Sequence, residues 1–297
     1  MNYTGPVYRP PFEADSLLLQ VTVGCSHNQC AFCTMYRAVP FSVCPMEQVE
    51  ADIEEAARRW PNAKRVFLEN GDPFVLSAER LVRIAEAIHA KLPRVETIAM
   101  YTSIQNIRSK TDAELRHLRA LGVNELNIGV ESGLDSALKL MNKGHTARES
   151  IDELLRLKAA SMDFGLNIIF GAAGSDHWRE NAEATAALLN TAQPYLIFTG
   201  TVHADPGCPL YEDMRSGAFV ENTFGEYLDE EELLLELLDL ENTYYFGLHP
   251  SNVLPMRGML PRDKEEMLKA VQDMRNRMKG NLDKRPLRAG EGAIINR

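Results

Sequence analysis

Residues 16–37 read SLLLQVTVGCSHNQCAFCTMYR, an apolar run closed by a glycine and followed by Cys25, Cys30 and Cys33 in the spacing Cys-x4-Cys-x2-Cys. The run shows no clean alternation of apolar and polar residues, as expected of a strand buried on both faces of a parallel sheet. In a barrel, the loop leaving the C-terminal end of such a strand faces the site at the mouth. Three of five cysteines within nine residues suit one inorganic centre better than a disulfide framework, which needs dispersed pairs. Three thiolates can hold three irons of a [4Fe-4S] cluster and leave the fourth iron open to another ligand. A structural zinc ion could use the same thiols with His27, although such sites join two separated ligand pairs. Cys44 and Cys208 have no cysteine neighbour and read as ordinary buried or loop thiols.

Working outward, five more strand-like runs follow at 65–69 (RVFLE), 96–101 (ETIAMY), 125–130 (ELNIGV), 164–170 (FGLNIIF) and 195–202 (YLIFTGTV). Helical spacing lies between them: Val49, Ile53, Ala57 and Trp60 form one stripe, and Leu81, Ile84, Ile88 and Leu92 another. Thr111 with Glu114, and Thr146 with Glu149, fit the capping box, and Gly122 stands where a left-handed C-terminal residue is needed. Strands alternating with single helices imply right-handed βαβ units. The expected fold is α/β, a partial (β/α)6 TIM-like barrel over 1–209, with a helical C-terminal extension over 210–297 packed on it as one compact unit. Within that extension 205–217 reads as loop and turn, 226–245 as an acidic, Leu-rich helix with a solvated face, 261–278 as a second helix, and the tail from Gly280 as irregular.

The composition is that of an ordinary globular chain, with 45% hydrophobic and 25% charged residues among 297. No apolar run reaches the roughly 18 residues a membrane span needs, and the first residues lack a basic start followed by an apolar block. A cytoplasmic protein is expected. A net charge of -10, with Lys and Arg scattered, argues against nucleic acid as a partner.

Together these features resemble the radical SAM superfamily, in the branch of oxygen-independent coproporphyrinogen oxidase, the Elp3-like enzymes and the methylthiotransferases. The usual signature there is Cys-x3-Cys-x-aromatic-Cys; Phe32 holds the aromatic position, while the first spacing here is four residues. The resemblance covers about 16–209 and implies a [4Fe-4S] cluster on Cys25, Cys30 and Cys33 with S-adenosylmethionine (SAM) bound to it. Asn70, Gly71 and Asp72, after Glu69, look like the Gly-rich segment whose backbone receives the methionine amino group; a plain turn is the alternative. The resemblance puts Glu131 on the SAM ribose and Lys143 on the carboxylate, pairings that suit a carboxylate facing hydroxyls and an ammonium facing a carboxylate. Tyr101 and Ser103 stand where relatives place a ribose contact, but the acid found there is missing. Asn167 opens NIIFGAAG, similar to the segment beside adenine.

The resemblance implies an enzyme that cleaves SAM reductively to methionine and a 5'-deoxyadenosyl radical, which removes a hydrogen atom from a small-molecule substrate. A flavodoxin- or ferredoxin-type protein would donate the electron. No side chain is assigned as general acid or base. With no second cysteine cluster downstream, sulfur insertion from an auxiliary cluster loses support. The competing reading is a heme carrier on the same scaffold, with His203 or His249 as axial ligand. Six βα units leave a gap that 203–211 and 244–249 could cover, so His203, Tyr211, Tyr245 and His249 are candidate pocket walls, unless they only pack the C-terminal helices.

Overall fold

Each apolar run becomes a strand, and the first divides in two. β1 (Leu17–Gln20) stops at Val21, and β2 (Thr22–Val23) pairs antiparallel with β3 (Ser42–Val43), Thr22 beside Val43. The computed structural model describes residues 1–286, so the end of the tail expected to be irregular lies outside the described residues. The order continues with α1 (Met46–Arg59), β4 (Arg65–Glu69), α2 (Ala78–Lys91), β5 (Thr97–Thr102), α3 (Ile104–Arg108), α4 (Asp112–Ala120), β6 (Leu126–Glu131), α5 (Asp135–Leu140) and α6 (Ala147–Ala159). Then come β7 (Phe164–Phe170), α7 (Trp178–Ala192), β8 (Leu196–Thr201), α8 (Pro209–Ser216), α9 (Phe224–Leu237), β9 (Thr243–Gly247), β10 (Met256–Leu260) and α10 (Lys264–Arg277). The eight-stranded sheet has the order β1-β4-β5-β6-β7-β8-β9-β10, and only β10 is seen to run antiparallel to its neighbour. This is the mostly parallel α/β class expected, and no described helix is long and apolar enough to cross a membrane.

Residues 1–28, 35–129 and 153–164 form one compact unit. In it α1 buries Met46, Val49, Ile53 and Ala56 and packs on β1 and α2. Trp60, read as the end of that stripe, is 46% exposed, because the helix stops at Arg59 and the next backbone step leaves the helical region. The capping box at Thr111 and Glu114 is present, and Gly122 is left-handed as expected, with φ 79°.

Residues 29–34, 130–152 and those from 165 onward form the other unit. Here β7, β8 and β9 lie side by side, and α9 packs on α7 and α10. The helix expected over 226–245 ends at Leu237; Leu238 takes an extended backbone, and Thr243, Tyr244, Tyr245 and Phe246 add a strand instead. Aromatic and β-branched residues in succession favour a pleated, half-buried surface, and the Leu periodicity has run out by then. The C-terminal segment thus carries its helices and two strands as well. The acidic face of α9 is also less solvated than expected: Glu230 and Glu231 are buried at 1% and 3% exposure.

Candidate functional site

In the first unit, the loops that follow β2 and β4 meet. The Gly71 N–H donates to the Gly24 carbonyl at 3.1 Å, and a Cβ at position 71 would stand 2.4 Å from the Cys25 Cβ. Only glycine permits that approach. Asn70 is left-handed, φ 80°, a conformation a non-glycine residue keeps only where its surroundings fix it. Its side chain does the fixing: Nδ2 donates to the Thr22 carbonyl at 2.9 Å, and Oδ1 accepts from the Tyr36 hydroxyl at 3.2 Å.

Asp72 accepts from the Ser26 N–H at 2.9 Å, from the Ser26 hydroxyl, and from Asn106 Nδ2 at 3.2 Å. Burial raises its pKa, and the Ser26 and Asn106 donors oppose the rise. Its carboxylate is therefore a strut that ties its own loop to the Cys25 loop and to α3. Ser103 caps α3, its hydroxyl accepting from the Asn106 N–H at 3.3 Å. Tyr101 is half-buried near the end of β5, edge-on to Phe67 with ring centroids 5.3 Å apart. Glu69, in register with Gln20 of β1, is fully buried, and neither carboxylate oxygen has a hydrogen-bond partner. Burial pushes its pKa up to about 7.

In the second unit, Cys30 and Cys33 share one turn, the Cys33 N–H donating to the Cys30 carbonyl at 3.3 Å, with Phe32 half-buried between them. The loop after α5 clamps that turn. The Ala31 N–H donates to the Met141 carbonyl at 2.9 Å, and Asn142 Nδ2 donates to the Gln29 carbonyl at 2.8 Å. Lys143 Nζ lies 3.1 Å from Glu131 Oε1 and 4.0 Å from Cys30 Sγ. Burial works against the ammonium, but Glu131 and the Cys30 and Cys33 sulfurs outweigh it and raise its pKa, so it stays a cation. Glu131 is left-handed at φ 73°, the same strain as Asn70 at another strand end. The sequence placed Glu131 and Lys143 on two different SAM groups; their direct pairing was not legible there.

Asn167 of β7, Phe198 of β8 and Phe246 of β9 form one cross-strand row, with Ile169 and Gly200 the next row. Asn167, Ile169, Phe198, Gly200 and Phe246 lie on one face of these strands, each only partly exposed, whereas Leu166, Ile168, Ile197, Thr199 and Tyr245 on the opposite face are buried. His249 joins that row, its ring centroid 6.0 Å from Phe198 and its Nδ1 2.6 Å from the Ser251 hydroxyl oxygen. His203 Nε2 is 2.9 Å from Asp205 Oδ1, and the Arg215 guanidinium lies 5.7 Å from the Tyr211 ring centroid. Tyr245 is fully buried, its hydroxyl donating to Glu231 Oε1 at 2.6 Å. Phe198 escaped the sequence reading, since an aromatic in a strand-like run carries no mark of which face it takes, and Phe246 lay in the covering stretch 244–249 without being singled out as a wall.

Among the described residues, no group of three or more His, Cys, Asp or Glu side chains stands ready as a metal cage. The donor chemistry still fits an iron-sulfur group: soft thiols, a glycine that lets the backbone close on Cys25, and a buried ammonium beside Cys30 to offset thiolate charge.

Parallel βα units with a loop of three cysteines after β2 define an α/β protein of the partial-barrel class. The model of the radical SAM superfamily matches residues 19–184, more than half of the 297, and the chain belongs to that superfamily. Its members use a [4Fe-4S] cluster and SAM, the two cofactors expected. The heme chaperone HemW of Bacillus subtilis is 23% identical over 53% of this chain and 41% of its own length. The tRNA-2-methylthio-N(6)-dimethylallyladenosine synthase of Alkalilimnicola ehrlichii is 28% identical over 67% of this chain and 46% of its own. These matches span less than half of either relative. Among solved structures, the Elp3 of Methanocaldococcus infernus aligns at TM-score 0.51 and 16% identity, over 89% of this chain and 63% of that one.

Proposed function

We propose that the chain is a radical SAM enzyme acting on a small-molecule substrate. The observation that carries this is the family match over a region that contains all three clustered cysteines together with Lys143, a buried cation 4.0 Å from Cys30 Sγ. When bound, the cluster supplies the electron that cleaves SAM to methionine and a 5'-deoxyadenosyl radical able to take a hydrogen atom from substrate. In this reading Cys25, Cys30 and Cys33 are the iron ligands. In the first unit the backbone at Asn70 and Gly71 receives the methionine amino group, Asp72 holds that loop to the Cys25 loop, and Tyr101 and Ser103 border the ribose. In the second, Lys143 pairs with the SAM carboxylate, Glu131 orients Lys143 and meets the ribose, and Phe32 and Asn167 flank the adenosine. The partly exposed row Asn167, Phe198 and Phe246, with His249, suits an apolar substrate wall with a few polar tips. His203 and Tyr211 remain candidate walls, and Tyr245 supports the row from beneath through Glu231.

Anaerobic reconstitution is expected to give about four irons per chain, by the stoichiometry of that cluster, and 5'-deoxyadenosine on adding dithionite and SAM. Cys→Ala at any of the three positions abolishes both. Stoichiometric zinc with no iron absorbance would sink the reading. The likeness to a heme chaperone favours one alternative, a carrier with His203 or His249 as axial ligand. A Soret band on heme addition that vanishes in His249→Ala or His203→Ala, with no 5'-deoxyadenosine from the wild type, would decide for the carrier.

A further inference from the structure

Glu69 has no task in the cofactor site, and it differs from the other buried acids of the first unit. Glu13 is paired with Arg65, Asp52 with the Asn2 N–H, Asp72 with Ser26, and Glu153 with Arg156. Glu69 is fully buried, and among the described residues neither of its oxygens meets a hydrogen-bond donor. Burial is the one influence that shifts its pKa, so no Lys, Arg or His among the described residues stands near enough to offset its charge. Protein interiors leave few polar groups in that state, because an unpaired buried carboxylate loses its hydration without replacement. A partner from outside the chain would complete it.

Strand register shows what lies around it. Glu69 pairs with Gln20 of β1; Phe67 pairs with Ala99 of β5, so two residues further on Glu69 stands level with Tyr101, which pairs with Asn127 of β6. Gln20, Glu69, Tyr101 and Asn127 thus form one polar row across four strands, on the face opposite Leu19, Leu68, Met100 and Ile128. Gln20 is already committed, its Oε1 accepting from the Thr4 N–H at 2.7 Å and its Nε2 donating to the Thr4 carbonyl at 3.0 Å. So is the Tyr36 hydroxyl, which donates to Asn70 Oδ1. Aromatic rings stand close by. Phe67 shares the face and lies edge-on to Tyr101. Burial raises the Tyr36 pKa, and Tyr101, Cys25, Tyr8 and Glu69 add to the rise, so these groups lie within reach of one another's charge. Tyr101 is only half-buried, which leaves the face open beside the carboxyl.

We propose that Glu69 anchors a positively charged nitrogen of the substrate, which makes the substrate an amine or a guanidine. The inference rests on the radical SAM reading and names the substrate class that reading leaves open. There the backbone at Asn70 and Gly71 receives the methionine ammonium of SAM, so Glu69 is left for the substrate. A carboxylate with two unfilled oxygens suits the several N–H donors of an ammonium or guanidinium, and the charge on such a group supplies the counter-ion that the protein does not. The aromatic neighbours favour the same sign, since the face of a ring attracts a cation. A carboxylate or phosphate on the substrate would instead meet the Glu69 charge with nothing positive beside it. The net charge of -10 acts in the same sense at longer range, drawing cations and repelling anions.

The test uses the full chain, anaerobically reconstituted, with SAM but no reductant, and three probes of one length: n-butylammonium, n-butanol and butyrate, at matched ionic strength. Binding is read as the rise in unfolding midpoint with probe concentration at about pH 8, above the value near 7 to which burial lifts Glu69. Wild type is expected to bind butylammonium about tenfold or more tighter than the other two, the gain of one charge-assisted pair. Glu69→Gln, which keeps the shape of the side chain and removes its charge, should abolish that preference with iron content and SAM affinity unchanged. Glu69→Asp, which keeps the charge on a shorter arm, should retain part of it. Equal binding of the three probes by wild type overturns the proposal, as does a preference that survives in Glu69→Gln. A fall in SAM affinity in Glu69→Gln that matches the fall in butylammonium binding overturns it too, because Glu69 would then serve the SAM amino group. If wild type with dithionite and SAM yields no 5'-deoxyadenosine while the ammonium preference still depends on Glu69, the radical SAM reading fails and the amine site stands.

Discussion

At Gly71 the requirement is steric. A methyl there would meet the Cys25 Cβ at 2.4 Å, so Gly71→Ala should cost about 1–3 kcal/mol in urea unfolding and reduce iron loading. Gly217 is the control: left-handed at φ 77° with nothing within 4 Å, its alanine variant should lose only about 1–2 kcal/mol to backbone strain and keep full loading. Lys143→Ala leaves the Glu131 carboxylate buried without its cation, at a cost of about 3–5 kcal/mol in stability. It should also weaken SAM by about 1.5–3 kcal/mol in equilibrium dialysis, the worth of a charge-assisted pair. Adding Glu131→Gln should restore stability without restoring SAM affinity, which separates the two roles. Glu69 titrates near pH 7 in the fold against an ordinary 4.5, so the native state holds a proton that the unfolded chain has lost. Stability therefore falls as pH rises from about 4.5 to about 7. Glu69→Gln should flatten that fall, seen as a gain in unfolding midpoint at pH 8 and little change at pH 4.

At the scale of elements, α9 is a lock. Glu230 accepts from Asn181 Nδ2 of α7 at 2.6 Å, from Asn222 Nδ2 at 2.9 Å, and from the Gly171 N–H just past β7 at 2.9 Å. Its neighbour Glu231 accepts from Tyr245 of β9. Burial pushes both carboxyls up to about 8. Glu230→Ala strands three donors and should lose about 3 kcal/mol or more at pH 6, read by denaturant unfolding, since each unmet buried group costs about 1–3. None of this was legible in the sequence. Two acids in an acid-rich helix look like a solvated face, and only the tertiary partners Asn181 and Tyr245 reveal otherwise. The parallel strands up to β8 were legible because each is a short apolar run set off by caps and glycines, and burial on both faces leaves that mark in the chain itself. β9 was hidden because its first residues follow α9 without a glycine or proline to announce the change.

For the molecule as a whole, the boundary near 209, placed where the alternation of strands and helices stops, falls inside the second unit. β9 pairs with β8 and α9 packs on α7, so a chain ending at Pro209 would expose the β8 edge and the inner face of α7. Such a chain should fail to give a cooperative unfolding transition by circular dichroism, whereas the full chain should show one. The clustered cysteines could be named from their spacing, and Asn70, Gly71 and Lys143 through the family resemblance; the structure sets Gly71 against Cys25 and Lys143 beside Cys30. The bracing roles of Asp72, itself named from the sequence, and of Glu230 could not be read there, because both act through distant partners that no spacing records.

The Asp72 strut and the Gly71 contact bind the loop bearing Cys25 to the loop proposed to receive the SAM amino group, so neither can shift alone. Two binding equilibria that share one rigid body are thermodynamically linked: whatever factor iron occupancy contributes to SAM affinity, SAM must return to iron retention. A chelator should then strip the metal more slowly as SAM is titrated in, and Asp72→Ala, which removes one of the two ties while sparing all three thiols, should weaken the dependence of chelation on SAM concentration.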